Sequence, residues 1–334
     1  MSIRDVLIVG AGPSGLAAAI AARQHGLDAL VVEKGVLVNS IFRFPVYMVF
    51  FTTPELLEIG GLPLVTPYDK PTRLEALRYY RRVVDSYGLQ ISDHEEALEI
   101  QREAQPGPAD TVFAVTTRTA GGTRVHHARA VVLAIGYYDH PNWLGIPGED
   151  LPHVSHYYSE AHPYYRRRVV IVGGRNSAVE AALELFRAGA QVTLVHRQAT
   201  LGDSIKYWVR PDIENRITEG SIAARFESRL VEIRPTAVVV ERDGQRDELP
   251  AERVLLLTGY HPDVDLMRRA GVACDAGTLA PTLDMNTFET NVPNLFVAGG
   301  AIAGRQTGNI FIENGRFHGE RIIKVLAERR LQEV

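Results

Sequence analysis

Two stretches of the chain share one hydrophobic pattern, and the other elements fall around them. Val6-Leu-Ile-Val9 is an apolar run without a polar break, which marks a strand buried on both faces. A glycine-rich turn, Gly10-Ala-Gly-Pro-Ser-Gly15, leads into Leu16-Ala-Ala-Ala-Ile-Ala-Ala22, a composition that favours helix. A second run, Asp28-Ala-Leu-Val-Val32, then ends on Glu33. The pattern recurs at Val169-Val-Ile-Val172, Gly173-Gly-Arg-Asn-Ser-Ala178, the helical Val179-Glu-Ala-Ala-Leu-Glu-Leu-Phe-Arg187 and Gln191-Val-Thr-Leu-Val195, which ends on His196-Arg197. Each stretch predicts a β-α-β unit.

Elsewhere the period changes. Residues 70–88 predict a helix with Leu74, Leu77, Tyr80 and Val84 as its apolar stripe, Thr72 and Glu75 as a capping box and Gly88 as its stop. Val112–Thr117 and Thr123–His127 predict a hairpin turning at Gly121-Gly122, and Ala130–Ala134 a further buried strand ending before Gly136. The aromatic segment Phe42–Pro54 follows neither period for long; it either lines a flat cofactor ring, with Thr52 and Thr53 as hydrogen-bonding groups, or packs as an irregular loop. Leu230–Ile233, Ala237–Glu241 and Arg253–Leu257 read as strands. Asn294–Ala301 predicts a last strand of the first sheet, and Ile310–Leu326 a terminal helix with its amino end toward a cofactor ring. Thr258-Gly-Tyr-His-Pro262 echoes Ile135-Gly-Tyr-Tyr-Asp139, so the second unit reads as inserted into the first.

Composition narrows the classes. A length of 334 residues exceeds the usual single core and calls for two domains. A net charge of −4 leaves no basic surface for nucleic acid. Met1-Ser-Ile-Arg4 directly precedes the first strand and leaves no room for a leader, and no apolar run reaches membrane-spanning length, so the expectation is a cytoplasmic protein without a membrane partner. Cys274 is the only cysteine, which excludes an internal redox pair and reads as half-buried filler. His153, His156 and His162 lie in a loop without partner ligands, so no metal is expected. Arg166-Arg-Arg168 reads as a solvated strand entrance.

The turns carry the chemistry. Gly10 permits the tight bend, Gly12 lets backbone approach a pyrophosphate, Gly15 lets helix and strand pack closely, and the helix start attracts the anion. Glu33, 23 positions after Gly10, stands where a ribose hydroxyl needs an acceptor. His196, 23 positions after Gly173, occupies the corresponding place in the second unit. His-Arg in place of an acid removes repulsion toward a 2′-phosphate and supplies a guanidinium to bind it, so this unit favours NADPH. Arg175 replaces the second glycine; its side chain either swings clear or reaches over the pyrophosphate, and Lys206 and Arg210 are further phosphate candidates. The acid-ended unit suits FAD, and nicotinamide stacked on isoalloxazine is a hydride-transfer arrangement that requires no catalytic acid, base or metal.

With Val32-Glu-Lys-Gly35, Asn39-Ser-Ile41, Phe50-Phe51, Leu57-Glu-Ile-Gly60, Tyr79-Tyr-Arg81, Gly173-Gly-Arg-Asn-Ser-Ala178, Ser204-Ile-Lys206 and Ile310-Phe-Ile-Glu-Asn-Gly315, the chain resembles the flavin oxidoreductases of the thioredoxin reductase type, most closely the bacillithiol disulfide reductases. The resemblance implies an α/β fold of two Rossmann-like domains, an FAD domain of residues 1–137 and 260–334 and an NADPH domain of residues 138–259 inserted into it. It implies FAD on Gly10, Gly12, Gly15, Glu33 and Lys34, with Pro13, Ser14, Ser40, Phe51, Thr52, Gly136, Gly300, Ala301 and Ile310 completing the candidate contacts. It implies NADPH on Asn176, Ser177, His196 and Arg197, with Gly173, Gly174, Arg175 and Lys206 beside them. A homo-oligomer, dimer or tetramer, and reduction of a low-molecular-weight disulfide are further implications. Two departures count against the thiol step: the chain has no Cys-x-x-Cys, and Ser14 stands where the resembling reductases carry cysteine. Rival readings are a reductase of ferredoxin, flavodoxin or quinone, and a cofactor-binding redox sensor.

Overall fold

The computed structural model describes residues 3–104 and 111–332. Met1 and Ser2, the first half of the segment on which the leaderless expectation rests, lie outside the described residues. In chain order the strands are β1 (Ile3–Val9), β2 (Ala29–Val32), β3 (Ile91–Ser92), β4 (Glu96–Ala104), β5 (Thr111–Thr119), β6 (Gly122–Leu133), β7 (Val154–Ser155), β8 (Arg168–Val172), β9 (Gln191–Val195), β10 (Ala223–Arg225), β11 (Arg229–Ile233), β12 (Ala237–Arg242), β13 (Gln245–Pro250), β14 (Arg253–Leu256) and β15 (Leu295–Val297). The longer helices are α1 (Pro13–Gln24), α2 (Arg73–Tyr87), α3 (Asn176–Arg187) and α4 (His318–Gln332). The chain divides into two compact units, Met1–His140 with Tyr260–Val334, and Pro141–Gly259.

The outer unit is built on a sheet ordered β3-β2-β1-β6-β5-β4, with β15 also paired to β6. β3, β2, β1, β6 and β15 run parallel, whereas the β4-β5-β6 meander is antiparallel. The unbroken apolar character of β1 has a direct cause: Val6 and Ile8 point into a core formed with α1, α2 and α4, while Leu7 and Val9 point into another core with Phe113, Met267 and Val297. The two strands expected at 123–127 and 130–134 are one, β6. Its first half closes the hairpin on β5 through Thr119 and Gly122, and its second half lies between β1 and β15, so one long strand serves both pairings.

Helix α2 has the expected capping box, Thr72 with Glu75, and the left-handed Gly88 at its end. Its buried face is Ala76, Tyr79, Tyr80 and Val83, rotated from the expected stripe, and Leu74 is exposed. Hydroxyl anchoring explains the rotation: Tyr79 Oη bonds Ile59 and Leu62, and Tyr80 Oη donates to the Leu57 carbonyl. The terminal helix is also divided, into a turn at Ile312–Gly315 and α4 from His318. The last strand spans only Leu295–Val297 before a 3-10 turn at Gly299–Ala303.

The inner unit holds a parallel sheet ordered β10-β9-β8-β14-β7. Val169 and Ile171 pack under α3; Val170 faces Leu230, Val238 and Val240 of the antiparallel β11-β12-β13 sheet. Polar β13 pairs with β12 across the Asp243-Gly244 turn, an edge strand that the apolar pattern did not reveal. Arg167 and Arg168 at the entrance to β8 pair with Glu252.

Candidate functional site

In the outer unit the turn after β1 forms a cradle. Gly10 takes φ +107° and its amide bonds the Val32 carbonyl at 2.8 Å, so the turn is tied to the end of β2. Any Cβ on Gly10 would overlap the Ala134 carbonyl, and one on Gly15 would overlap the carbonyl oxygen of Gly10. These two glycines are therefore required by packing. Gly12 is different: it is the N-cap of α1 at φ −75°, and a Cβ there meets no protein atom within 4 Å. The space beside its backbone is open to a ligand, as a pyrophosphate cradle needs. Pro13 occupies the first helical turn, where its missing amide costs nothing, and Ser14 follows it.

Glu33 closes the cradle. It is buried at the end of β2, with Oε2 accepting the Ala11 amide at 2.8 Å and Oε1 accepting the Gly35 amide at 2.9 Å. Burial raises its pKa above the ordinary range, against the lowering effect of those two amides. Each oxygen retains a lone pair for a hydroxyl donor, so the group fits a ribose. The Lys34 ammonium lies 3.0 Å from Asp139, which Arg43 also pairs at 2.5 Å. Thr52 is buried, and Phe51 stands edge-on to Phe311 with ring centroids 5.4 Å apart. Ser40 lies in the short helix Asn39–Phe42, and Ile310 precedes the Ile312–Gly315 turn, where its side chain lies against Gly315.

Tertiary folding brings the 3-10 turn to this cradle. A Cβ on Gly299 would overlap Ser14 Oγ, and one on Gly300 would strike the Tyr137 ring 2.7 Å away. Ala301 is fully buried, while Gly136, at φ +60°, faces open space. The opposition of Ser14 to Gly299 joins positions far apart in sequence, and no local pattern signals it.

The inner unit has the same plan with different chemistry. A Cβ on Gly173 would approach the Leu257 carbonyl oxygen at 2.6 Å, and the His196 ring fills the space a Gly174 side chain would need. Arg175 caps α3 in ordinary extended backbone with its side chain exposed, so losing the glycine there strains nothing. Burial, then the charges of Arg197 and Arg175, lower the His196 pKa. His196 and Arg197 follow the end of β9, the position that Glu33 occupies after β2. Asn176 is engaged structurally: Nδ2 donates to Ser204 and Oδ1 accepts the Lys206 amide, both at 2.9 Å, which fixes the loop beside exposed Ser177. Lys206 Nζ pairs with Glu180 at 2.5 Å, and Arg210 binds Glu214 and the Gly202 carbonyl.

The family model for pyridine nucleotide-disulphide oxidoreductases matches residues 7–299. The chain is 42% identical over 325 residues to bacilliredoxin reductase Bdr of Bacillus subtilis (strain 168), covering 97% of each. Its fold is similar to a solved bacillithiol disulfide reductase Bdr (YpdA) of Bacillus cereus, with TM-score 0.95 and 40% identity over 98% of this chain and all of that one. The corresponding structure from Staphylococcus aureus gives TM-score 0.92 and 36% identity over 99% of this chain and all of that one.

Proposed function

Since the chain belongs to the pyridine nucleotide-disulphide oxidoreductase family and is an NADPH-dependent flavoprotein oxidoreductase using FAD, we propose that it reduces a low-molecular-weight disulfide of the bacillithiol type. The balance is NADPH, one proton and a disulfide giving NADP+ and two thiols. The observation that carries the assignment of sites is the contrast between the two strand ends, a buried carboxylate at Glu33 in one unit and His196 under the charges of Arg197 and Arg175 in the other. In this reading the outer unit is the FAD domain and the inner unit the NADPH domain.

Bound FAD supplies the two-electron chemistry. The protein's part is binding and orientation. Open backbone at Gly12 admits the pyrophosphate of FAD, and Glu33 orients its ribose. Arg197 and Arg175 select a phosphorylated ribose, and burial together with their charges lowers the His196 pKa. The names of the most similar relatives, a bacilliredoxin reductase and bacillithiol disulfide reductases, support a disulfide as the acceptor.

No protein thiol relay fits this chain. Ser14 forms no mixed disulfide, and the half-buried thiol of Cys274 has its pKa raised by burial, away from the thiolate an exchange step needs. The same fact favours a second reading, an electron-transferring reductase of ferredoxin, flavodoxin or quinone. Steady-state NADPH consumption with bacillithiol disulfide and with each rival acceptor separates the two. Turnover on the disulfide, undiminished in Cys274→Ser, is expected; turnover confined to ferredoxin, flavodoxin or quinone removes the disulfide assignment.

A further inference from the structure

The outer unit contains a buried histidine that the reaction does not use. His318 begins α4 and is only 7% exposed. Its Nδ1 accepts the Gly299 amide at 3.1 Å, and its ring stacks on Phe288 with centroids 4.2 Å apart and planes 25° apart. Accepting at Nδ1 requires the neutral ring with its proton on Nε2. Burial and the Arg321 charge depress the pKa to about 4, consistent with that form.

The surroundings of this bond give it a role. Immediately after His318, a Cβ on Gly319 would collide with the backbone of Ala18, so the start of α4 is seated on α1. On the other side of the bond, Gly299 is set against Ser14 at the start of α1, and Gly315 closes on the same hydroxyl. The imidazole is thus the polar link in a closed ring of contacts running α1, α4, the Gly299–Ala301 turn and back to the glycine cradle. Phe288 holds the ring plane, and its carbonyl accepts the Val297 amide at the end of β15, so the strand leading into the turn is tied to the same stack.

We infer that His318 is a positioning residue for FAD, fixing through the Gly299 amide the separation between the Gly299–Ala301 turn and the Gly10–Gly15 cradle. The inference rests on the reading that this unit holds FAD. It identifies the group that sets the fit of two segments nearly three hundred positions apart.

Equilibrium FAD titration of the deflavinated full chain, with thermal unfolding of apoprotein and holoprotein, tests it in three variants. His318→Phe keeps the stacking ring and removes the acceptor, leaving a buried amide unpaired; His318→Asn restores an acceptor at the position of Nδ1. The expected result is FAD affinity lowered about tenfold or more in His318→Phe and recovered in His318→Asn to within about threefold of wild type. Unchanged affinity in His318→Phe overturns the inference, as does an equal loss in both variants, which shows that packing alone is at work. Gly12→Val keeps the two failures apart, because a Cβ at this position meets no protein atom within 4 Å and the branch beyond it narrows the space beside the cradle backbone. If Gly12→Val loses FAD while His318→Phe binds normally, the positioning role alone is wrong; if Gly12→Val retains FAD, the FAD reading of this unit is wrong.

Discussion

The Ala11 amide donates to Glu33 Oε2 at 2.8 Å, so the carboxylate we propose as the ribose acceptor also braces the turn we propose as the pyrophosphate cradle. In that proposal one residue serves two parts of the same ligand. Burial raises the Glu33 pKa, and the sign follows. Between the ordinary value of 4.5 and the raised one, the folded apoprotein binds the proton more readily than the unfolded chain, so acidification through that window stabilises the apoprotein. FAD affinity moves the opposite way, because protonation removes an acceptor from the ribose. Titration of FAD from neutral pH downward is expected to show weakening binding, with Glu33→Gln weaker at neutrality and flatter with pH. A pH-independent wild-type affinity would contradict the ribose role.

Gly15 should tolerate nothing larger. A methyl group there meets the backbone of Gly10 rather than a flexible side chain, so relief requires α1 to move off β1. Gly15→Ala is expected to cost about 1–3 kcal/mol in denaturant unfolding and to release FAD. A variant with wild-type stability would show that the turn adapts.

Arg197→Ala should alter cofactor choice more than turnover. Losing a charge-assisted contact is worth about 1.5–3 kcal/mol, so kcat/KM for NADPH is expected to fall about tenfold to a hundredfold while that for NADH stays nearly constant. Anaerobic flavin bleaching by the two nucleotides gives a direct check; equal wild-type rates would remove the phosphate-reading role.

Thr72→Ala tests the local logic of α2. Thr72 Oγ1 accepts the Glu75 amide, and Glu75 accepts the Thr72 amide at 2.7 Å. The substitution is expected to cost about 1 kcal/mol, read as a lower urea midpoint with an unchanged slope.

His318 imposes an acid limit. Its folded pKa of about 4 lies below the unfolded reference of 6.5, so the unfolded chain takes up the proton first as pH falls. Its stabilising contribution is complete above the upper value and declines between the two, by about 2 kcal/mol after allowing for solvent screening. Stability curves of wild type and His318→Phe should converge across that interval; parallel curves would show that His318 titrates normally.

Much of the fold was written in local pattern. Unbroken apolar runs at Val6–Val9 and Val169–Val172 announced strands buried on both faces, and Gly10 and Gly15 announced a turn too tight for side chains, because these demands act between near neighbours. The capping box at Thr72 and Glu75 was legible for the same reason. That Glu33 and His196 take corresponding places could be read from a fixed spacing, since strand and helix lengths set where β2 and β9 end.

What tertiary structure decided lies where distant segments meet. Lys34 pairs with Asp139 and Lys206 with Glu180, and neither partner adjoins its lysine in sequence. The buried face of α2 followed the tyrosine hydroxyls rather than the apolar count. The Ser14–Gly299 contact and its His318 tie arise only when α4 and the turn after β15 pack onto α1. Periodicity fixes which residues a strand or helix presents; only packing fixes what those residues meet.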